Sequence, residues 1–205
     1  MPKPQKPTPP PPGAVLVLDA PAIDRVLRRI AHEIIEGNPD LDRLTLVGIP
    51  SRGVEIAHRI AAHISQVEGR PVKAGTIDVS MHRDDLHIRQ RLSVVEPSHL
   101  PGDMEERTIV LVDDVLYSGR TCRAAMDAIS SFGRPARIQY AVLIDRGHRE
   151  LPIRADYVGK NIPTAPGERV HVRLEATDHQ PDAVWISREG QDAETRRQGD
   201  AETGR

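Results

Sequence analysis

Residues 108–121 constrain the fold of this chain more than any other stretch, because an uninterrupted apolar segment runs directly into two adjacent aspartates and a turn of small residues. Ile109 to Val112 is aliphatic on both faces, as expected for a strand that helices cover on two sides. Arg120 to Phe132 repeats apolar residues at helical spacing, and Gly133 is its predicted C-cap. The stretch therefore predicts a buried strand, a short loop and a helix.

The loop between this strand and this helix suits a sugar phosphate. The amides of a first helical turn, the helix dipole and the hydroxyls of Ser118 and Thr121 favour a terminal phosphate, and Gly119 lets the backbone approach it. We expect Asp113 and Asp114 to accept hydrogen bonds from ribose hydroxyls and to lie near a magnesium ion held through a pyrophosphate group. Helix capping is the alternative role for the two acids taken alone.

The rest of the chain alternates helices and strands, which predicts a parallel sheet flanked by helices. A helix starting at Asp19 to Pro21 places Ile23, Val26 or Leu27, Ile30 and Ile34 on one face. The other predicted elements are the strand Leu44–Ile49, the helix Val54–Ile64, and the strands Val72–Ser80, Thr108–Val115 and Ile138–Ile144. Three shorter strands are predicted to form a small hood, namely Tyr157–Ile162, Val170–Glu175 and Ala183–Ile186.

The acid pair and its loop resemble the signature with which type I phosphoribosyltransferases bind 5-phosphoribosyl 1-diphosphate (PRPP). Neither a P-loop nor a dinucleotide-binding glycine motif occurs around this strand. Downstream, Asp145 to Thr164 is similar to a segment of the bacterial pyrimidine operon regulators, which attenuate pyrimidine genes through RNA and also act as uracil phosphoribosyltransferases. The resemblance covers roughly residues 15–188 and implies the type I phosphoribosyltransferase fold.

The resemblance also implies which residues bind the substrates. The sugar phosphate would lie on Val115, Leu116, Tyr117, Ser118, Gly119, Arg120 and Thr121. Gly48–Gly53 would be the pyrophosphate loop, in which Ser51 and Arg52 converge on an anion, although a capped turn is the alternative when the motif is taken alone. Uracil would lie near Arg146, Asn161 and Ile162, and a salt bridge to Asp145 or Glu150 is the alternative role for Arg146.

The long connection 81–107 is predicted to be a lid, with a solvated hairpin as the alternative. In the resembled family a flexible loop closes here, which would bring Arg83 to the pyrophosphate. Displacement of pyrophosphate from C1 of the ribose develops positive charge on the sugar and negative charge on the leaving group, so neutralisation of that charge matters most. Arg52, Arg83, Asp113, Asp114 and Mg²⁺ are therefore the candidate catalytic groups.

Two basic clusters are candidates for RNA binding. Arg25, Arg29 and His32 recur on one face of the first helix and Arg28 adjoins them, although such a face is usually only solvated. In the resembled regulators a messenger stem-loop meets the residues that match Arg29, His32, Ser51, His148, Arg149, Arg154 and Lys160. Gly37 departs from the arginine that is common at its position in that family.

Composition limits the remaining possibilities. The net charge of −2 gives no global attraction to nucleic acid, so an RNA surface must be a local patch. Cys122 is the only cysteine, which predicts a reduced core residue in a cytoplasmic protein, and no apolar stretch is long enough for a membrane span. Residues 1–13 are rich in proline and residues 189–205 are polar, so both tails are predicted to be disordered around a domain at 14–188.

Three hypotheses about function follow. The first is a bifunctional protein that binds pyrimidine-operon leader mRNA under the control of UMP or UTP and makes UMP from uracil and PRPP. The second is a uracil salvage enzyme without an RNA role, and the third is a regulator with vestigial catalysis. A purine specificity fits Asp145–Thr164 poorly. By analogy with the family, we expect a homo-oligomer in which the Val15–Leu18 strand pairs at an interface.

Overall fold

The computed structural model describes Pro10 and residues 13–80 and 98–188 of the chain. These residues form two compact units, one from Arg25 to Ile162 and one that combines the described residues up to Asp24 with those from Pro163 onward. The helices and strands follow in the order β1 Val15–Asp19, α1 Ala20–Gly37, β2 Leu44–Gly48, α2 Arg52–Glu68, β3 Lys73–Thr76, β4 Thr108–Leu116, α3 Arg120–Ser130, β5 Arg137–Asp145, β6 Tyr157–Asn161, β7 Glu168–Arg173, α4 Glu175–Asp178 and β8 Ala183–Arg188.

The larger unit is built on a five-stranded parallel sheet with the strand order β3-β2-β4-β5-β6. The central strand β4 is buried from Ile109 to Asp113, as its aliphatic sequence predicts. α2 packs on β2, β3 and β4, whereas α3 buries Cys122 and Ile129 in a cluster with Leu111. Since the carboxyl ends of parallel strands share one edge of a sheet, the segments that follow β2, β4 and β5 meet there.

Three details of the larger unit differ from the sequence predictions. Gly133 is not the C-cap of α3, because the helix already ends at Ser130 with Ser131 as its C-cap. The backbone N–H groups of Ser131 and Phe132 donate to the carbonyls of Ala128 and Ile129, respectively. The strand predicted at Val72–Ser80 covers only Lys73–Thr76, since the Asp78 carboxylate accepts hydrogen bonds from the amide and hydroxyl of Ser80 and turns the chain. The helix predicted at Val54–Ile64 extends over Arg52–Glu68.

The prediction of the hood was partly wrong. Tyr157–Asn161 is β6, an edge strand that pairs in parallel with β5, whereas the sequence placed it among the hood strands. As an edge strand with a glycine at its centre, it is short and half-exposed, which is why its sequence reads like a peripheral element.

The smaller unit contains an antiparallel sheet with the order β1-β8-β7. β7 and β8 correspond to two of the predicted hood strands. β1, for which we expected an intermolecular role, pairs with β8 of the same chain. Val15 and Leu16 at its start are 64% and 57% exposed, so this strand is only partly covered within the chain.

Several predictions concern residues outside the part of the chain that the structure describes. Apart from Pro10 and Gly13, both predicted tails lie there, as does most of the predicted lid including Arg83. Among the residues that are described, no helix is both long and apolar enough to span a membrane.

Candidate active site

The two aspartates at the end of β4 point to opposite faces of the sheet, because successive residues of a strand alternate. Asp113 shares its face with Leu111, which packs against α3. Asp114 lies on the other face and is half-buried. Asp114 is therefore the more accessible of the two carboxylates, and the prediction that both contact one sugar stays a prediction.

Asp113 is 7% exposed and is hydrogen-bonded within the protein. Its Oδ1 accepts the backbone N–H of Asp114 at 2.9 Å, and its Oδ2 accepts the hydroxyl of Tyr140 at 3.2 Å. Burial raises the pKa of Asp113 well above its ordinary value, and the neighbouring Asp114 charge raises it further. The hydrogen bond from the Asp114 amide fixes the backbone beside Asp114, and the one from Tyr140 holds the carboxyl in place.

Two further buried groups surround Asp113. Burial, followed by the Asp113 charge, raises the pKa of the Cys122 thiol to about 12, which makes Cys122 the inert core residue that the sequence predicted. Burial also raises the pKa of the Tyr140 phenol. Tyr140 was not predicted from the sequence as a site residue, because only the pairing of Leu111 with Tyr140 between β4 and β5 reveals its proximity to the acid pair.

Val115 and Leu116 end β4, and Arg120 and Thr121 begin α3. Residues 117–119 connect the two, and we call them the phosphate loop after their predicted ligand. The N-cap of α3, Gly119, has a φ of 92°, in the left-handed region that favours glycine. A Cβ at Gly119 would also come within 3.2 Å of the Ile153 side chain. Ser118 Oγ accepts the amide of Arg120 at 3.3 Å. The start of α3 thus presents backbone N–H groups at the same edge of the sheet as Asp114, an arrangement that suits a phosphate.

The predicted pyrophosphate loop lies against the same strand end. The amide of Ile49 donates to the Val112 carbonyl at 2.9 Å. A Cβ on Gly53 would come within 2.4 Å of that carbonyl oxygen and within 3.1 Å of the Asp113 Cα. α2 therefore begins directly on β4, with Ser51 at its N-cap position and Arg52 as its first residue. The amino-terminal ends of α2 and α3 therefore both lie at this end of β4.

The segment that follows β5 supports the phosphate loop from outside. The amide of Arg146 donates to the Leu116 carbonyl at 3.1 Å, and the amides of Glu150 and Leu151 both donate to the Ser118 carbonyl at 3.0 Å. Arg120 is also joined to this segment by its 2.7 Å ion pair with Glu150. These contacts make residues 145–153 a structural part of the phosphate loop, a role that the sequence did not indicate.

The candidate uracil residues lie at the ends of β5 and β6. The guanidinium of Arg146 stacks over the Tyr117 ring at 4.4 Å from its centroid. The predicted alternative partners, Asp145 and Glu150, form ion pairs with Arg149 and Arg120 respectively. Ile162 is buried, and its amide donates to the Asp145 carbonyl at 2.8 Å, which ties β6 to the start of the 145–153 segment. Its neighbour, Asn161, is exposed.

The candidate RNA-binding residues differ in how much of each side chain solvent can reach. The exposed ones are Arg28, Arg29, His32, His148, Arg154 and Lys160. Arg29 nevertheless pairs with Glu33 and donates to the carbonyls of Val158 and Gly159, so it also joins α1 to β6. The side chain of Arg149 is 23% exposed and is hydrogen-bonded to the protein on several sides.

The described residues contain no group of three or more His, Cys, Asp and Glu side chains arranged to hold a metal ion. Mg²⁺ prefers oxygen ligands, and the half-buried carboxylate of Asp114 offers one. That a magnesium ion binds here through substrate oxygens stays a prediction.

Comparison with known proteins decides the family. Residues 16–177 match the phosphoribosyl transferase domain family. Among curated proteins, the bifunctional protein PyrR of Roseiflexus sp. (strain RS-1) is 54% identical over 176 residues, which cover 86% of this chain and 96% of that protein. This chain belongs to the PyrR family of phosphoribosyltransferases. The bifunctional protein PyrR of Bacillus cereus (strain AH820) is 53% identical over 167 residues, covering 80% and 93% of the two chains.

A solved structure shows the same fold outside the PyrR family. A hypoxanthine phosphoribosyltransferase from Staphylococcus aureus superposes with a TM-score of 0.64 at 17% identity, covering 87% of this chain and 94% of the other. The type I phosphoribosyltransferase fold that was predicted from the acid pair and its loop is thereby confirmed. At this identity the comparison concerns the fold alone.

We expect an Asp113→Asn variant to change how stability depends on pH. The pKa of Asp113 in the folded protein lies above its ordinary 3.8, so the folded state holds a proton that the unfolded chain has released. Folding then takes up a proton, and the free energy of unfolding contributed by this group falls as the pH rises from about 4 through the raised pKa. Asparagine does not titrate, so this loss is absent in the variant. The stability of the variant relative to wild type should therefore increase from pH 5 to pH 8.

Urea unfolding at pH 5 and pH 8 measures the difference. Asp127→Asn is the matched control, because Asp127 lies at the surface of α3 in an ion pair with Arg123. A stability difference between Asp113→Asn and wild type that is the same at both pH values would show that Asp113 is ionised in the folded protein.

Proposed function

We propose that this PyrR-family protein transfers the phosphoribosyl group of PRPP to uracil, giving UMP and pyrophosphate, and binds pyrimidine-operon leader mRNA under the control of uridine nucleotides. The observation that supports the enzymatic part is that α2 begins against Val112 and Asp113 of β4, while α3 begins at Arg120, four residues after the last residue of the same strand. Two anion sites flanking one accessible carboxylate match a substrate with a phosphate at one end and a pyrophosphate at the other.

In this proposal the ribose lies between the two helix starts. The 5-phosphate accepts hydrogen bonds from the backbone N–H groups of the first turn of α3 and from the hydroxyls of Ser118 and Thr121. Asp114 accepts hydrogen bonds from the ribose hydroxyls, since an ionised carboxylate offers only acceptors. Asp113 supports this contact by holding the Asp114 amide.

The leaving group is stabilised from the other side. Pyrophosphate lies on the loop from Gly48 to Gly53, where the amides of α2, Ser51 and Arg52 face its negative charge. Arg83, which belongs to the predicted lid, adds a second guanidinium. Mg²⁺ bound through the pyrophosphate supplies further charge neutralisation. Because each of these groups acts on charge that develops as the C1–oxygen bond breaks, their effect is on the transition state.

Uracil is held at the ends of β5 and β6 in this proposal. Backbone groups near Arg146, Asn161 and Ile162 form hydrogen bonds with the donor and the acceptors of uracil. The Arg146 side chain, stacked on Tyr117, is positioned at the boundary between the base site and the phosphate loop. The PyrR proteins of Roseiflexus and Bacillus cereus are bifunctional, which supports a second role besides catalysis.

For RNA binding, the proposal relies on local basic surface, since the net charge of the chain is −2. Exposed His148 and Arg154 lie between β5 and β6, and exposed Lys160 lies in β6. Exposed Arg28, Arg29 and His32 lie on α1. Arg29 bonds to the backbone of β6 and so links the two clusters. The alternative is a uracil salvage enzyme without an RNA role. We also propose a cytoplasmic homo-oligomer.

The enzymatic role predicts magnesium-dependent release of pyrophosphate from PRPP with uracil, and none with adenine or guanine. Replacing Asp114 by asparagine removes the charged acceptor for the ribose hydroxyls, so the rate should fall by about 10²-fold or more. Pyrophosphate release in a coupled assay measures both. Asp127→Asn should retain wild-type activity, and an Asp114→Asn variant as active as that control would reject the assigned site.

The RNA role predicts salt-sensitive binding to a pyrimidine-operon leader, strengthened by UMP. Arg154→Gln and Lys160→Gln should each lower the slope of log Kd against log salt by about 1, because each removes one phosphate contact. Arg43→Gln is the control, since Arg43 is an exposed arginine next to β2. Filter binding at several salt concentrations gives the slopes. Equal affinity of wild type for leader and scrambled RNA would favour the salvage enzyme.

A further inference from the structure

The guanidinium of Arg149 uses most of its N–H donors in contacts within the protein. Its Nη1 donates to the carbonyls of Tyr117 at 2.9 Å and Gly147 at 3.1 Å, its Nε donates to the Ile153 carbonyl at 3.0 Å, and its Nη2 pairs with Asp145 at 2.5 Å. At least four of the five N–H donors of the guanidinium are therefore used inside the molecule.

These four acceptors come from two parts of the site. Tyr117 belongs to the phosphate loop, whereas Asp145, Gly147 and Ile153 frame the segment that carries His148 and leads to Arg154. One guanidinium thus connects the loop that we propose to hold the sugar phosphate with the segment that we propose to meet RNA. The Tyr117 ring strengthens the connection, because Arg146 stacks over it and the His148 ring lies 6.1 Å from it.

The backbone of this segment needs such support. Gly147 and His148 have φ values of 79° and 60°, so two consecutive residues occupy the left-handed region. For a residue with a side chain, that conformation is unfavourable. The Gly147 carbonyl is one of the acceptors of Arg149, and the Gly147 amide donates to Asp145 at 3.0 Å. Arg149 therefore holds the residue directly before His148.

We propose that Arg149 is a positioning residue that couples occupancy of the phosphate loop to RNA affinity. A nucleotide phosphate bound at Tyr117 and Ser118 fixes the Tyr117 carbonyl, which accepts a hydrogen bond from Arg149. Arg149 in turn fixes the direction in which His148 and Arg154 face the RNA. By linkage, RNA bound to those residues tightens nucleotide binding by the same factor. This inference rests on the proposed function and assigns Arg149 an indirect part in RNA binding, whereas the sequence predicted a direct contact.

The test compares leader RNA affinity with and without saturating UMP at one salt concentration. Wild type should bind RNA more tightly with UMP, by roughly fivefold or more, the usual lower range of coupling between two sites. Arg149→Gln should bring this ratio close to 1. Arg149→Lys should do the same although it keeps the charge, since one ammonium group cannot reach acceptors on both the loop and the segment.

Lys160→Gln is the matched control, because Lys160 is an exposed basic residue of β6 and lies outside the segment that Arg149 holds. Loss of its charge should weaken RNA binding by the same factor with and without UMP and leave the ratio unchanged. Thermal unfolding of each variant verifies that it is folded, and the reciprocal measurement, UMP affinity with and without RNA, should give the same ratios.

The outcomes separate this inference from the proposed function. If Arg149→Lys keeps the wild-type ratio, or if Arg149→Gln weakens binding equally in both states, Arg149 contacts RNA directly and the coupling role is overturned. If wild type binds the leader with no response to UMP, the coupling role fails while RNA binding stands. If wild type does not prefer the leader at all, the RNA part of the proposed function fails and the coupling role falls with it.

Discussion

The contact on which this structure most depends is the approach of Gly53 to the backbone of β4. A Cβ there would come within 2.4 Å of the Val112 carbonyl oxygen, so only glycine allows α2 to begin at this point. The consequence is that two helix starts, those of α2 and α3, lie at the end of one strand. Helix starts favour anions through their unbonded N–H groups and their dipole, which gives the site its chemical character before any side chain is considered.

Because successive residues of β4 face opposite sides of the sheet, the two aspartates have different environments. Asp113 follows Ile109 and Leu111 onto the face covered by α3, where Tyr140 holds its carboxyl and burial favours its proton. Asp114 faces the other way and keeps its accessible carboxylate. A pair that looks redundant in the sequence consists of one residue that shapes the backbone and one that is available to substrate.

Much of the fold was readable from the sequence because the signals were local. The aliphatic run of β4, the helical period of α1, α2 and α3 and the acid pair each depend on neighbouring residues. What the sequence could not show depends on pairing between distant segments. The hydrogen bond from Tyr140 to Asp113 needs the register of β4 with β5, the place of β6 in the parallel sheet needs its pairing with β5, and the bonds of Arg149 need the fold of the loop.

The central claim is that the end of β4 binds a sugar phosphate, and a crystal structure of the protein with UMP tests it most directly. The account predicts the phosphate within hydrogen-bond distance of the amides at the start of α3, the ribose hydroxyls on Asp114, and Asp113 still bonded to Tyr140. A phosphate bound elsewhere, or a ribose that leaves Asp114 without contact, would contradict it.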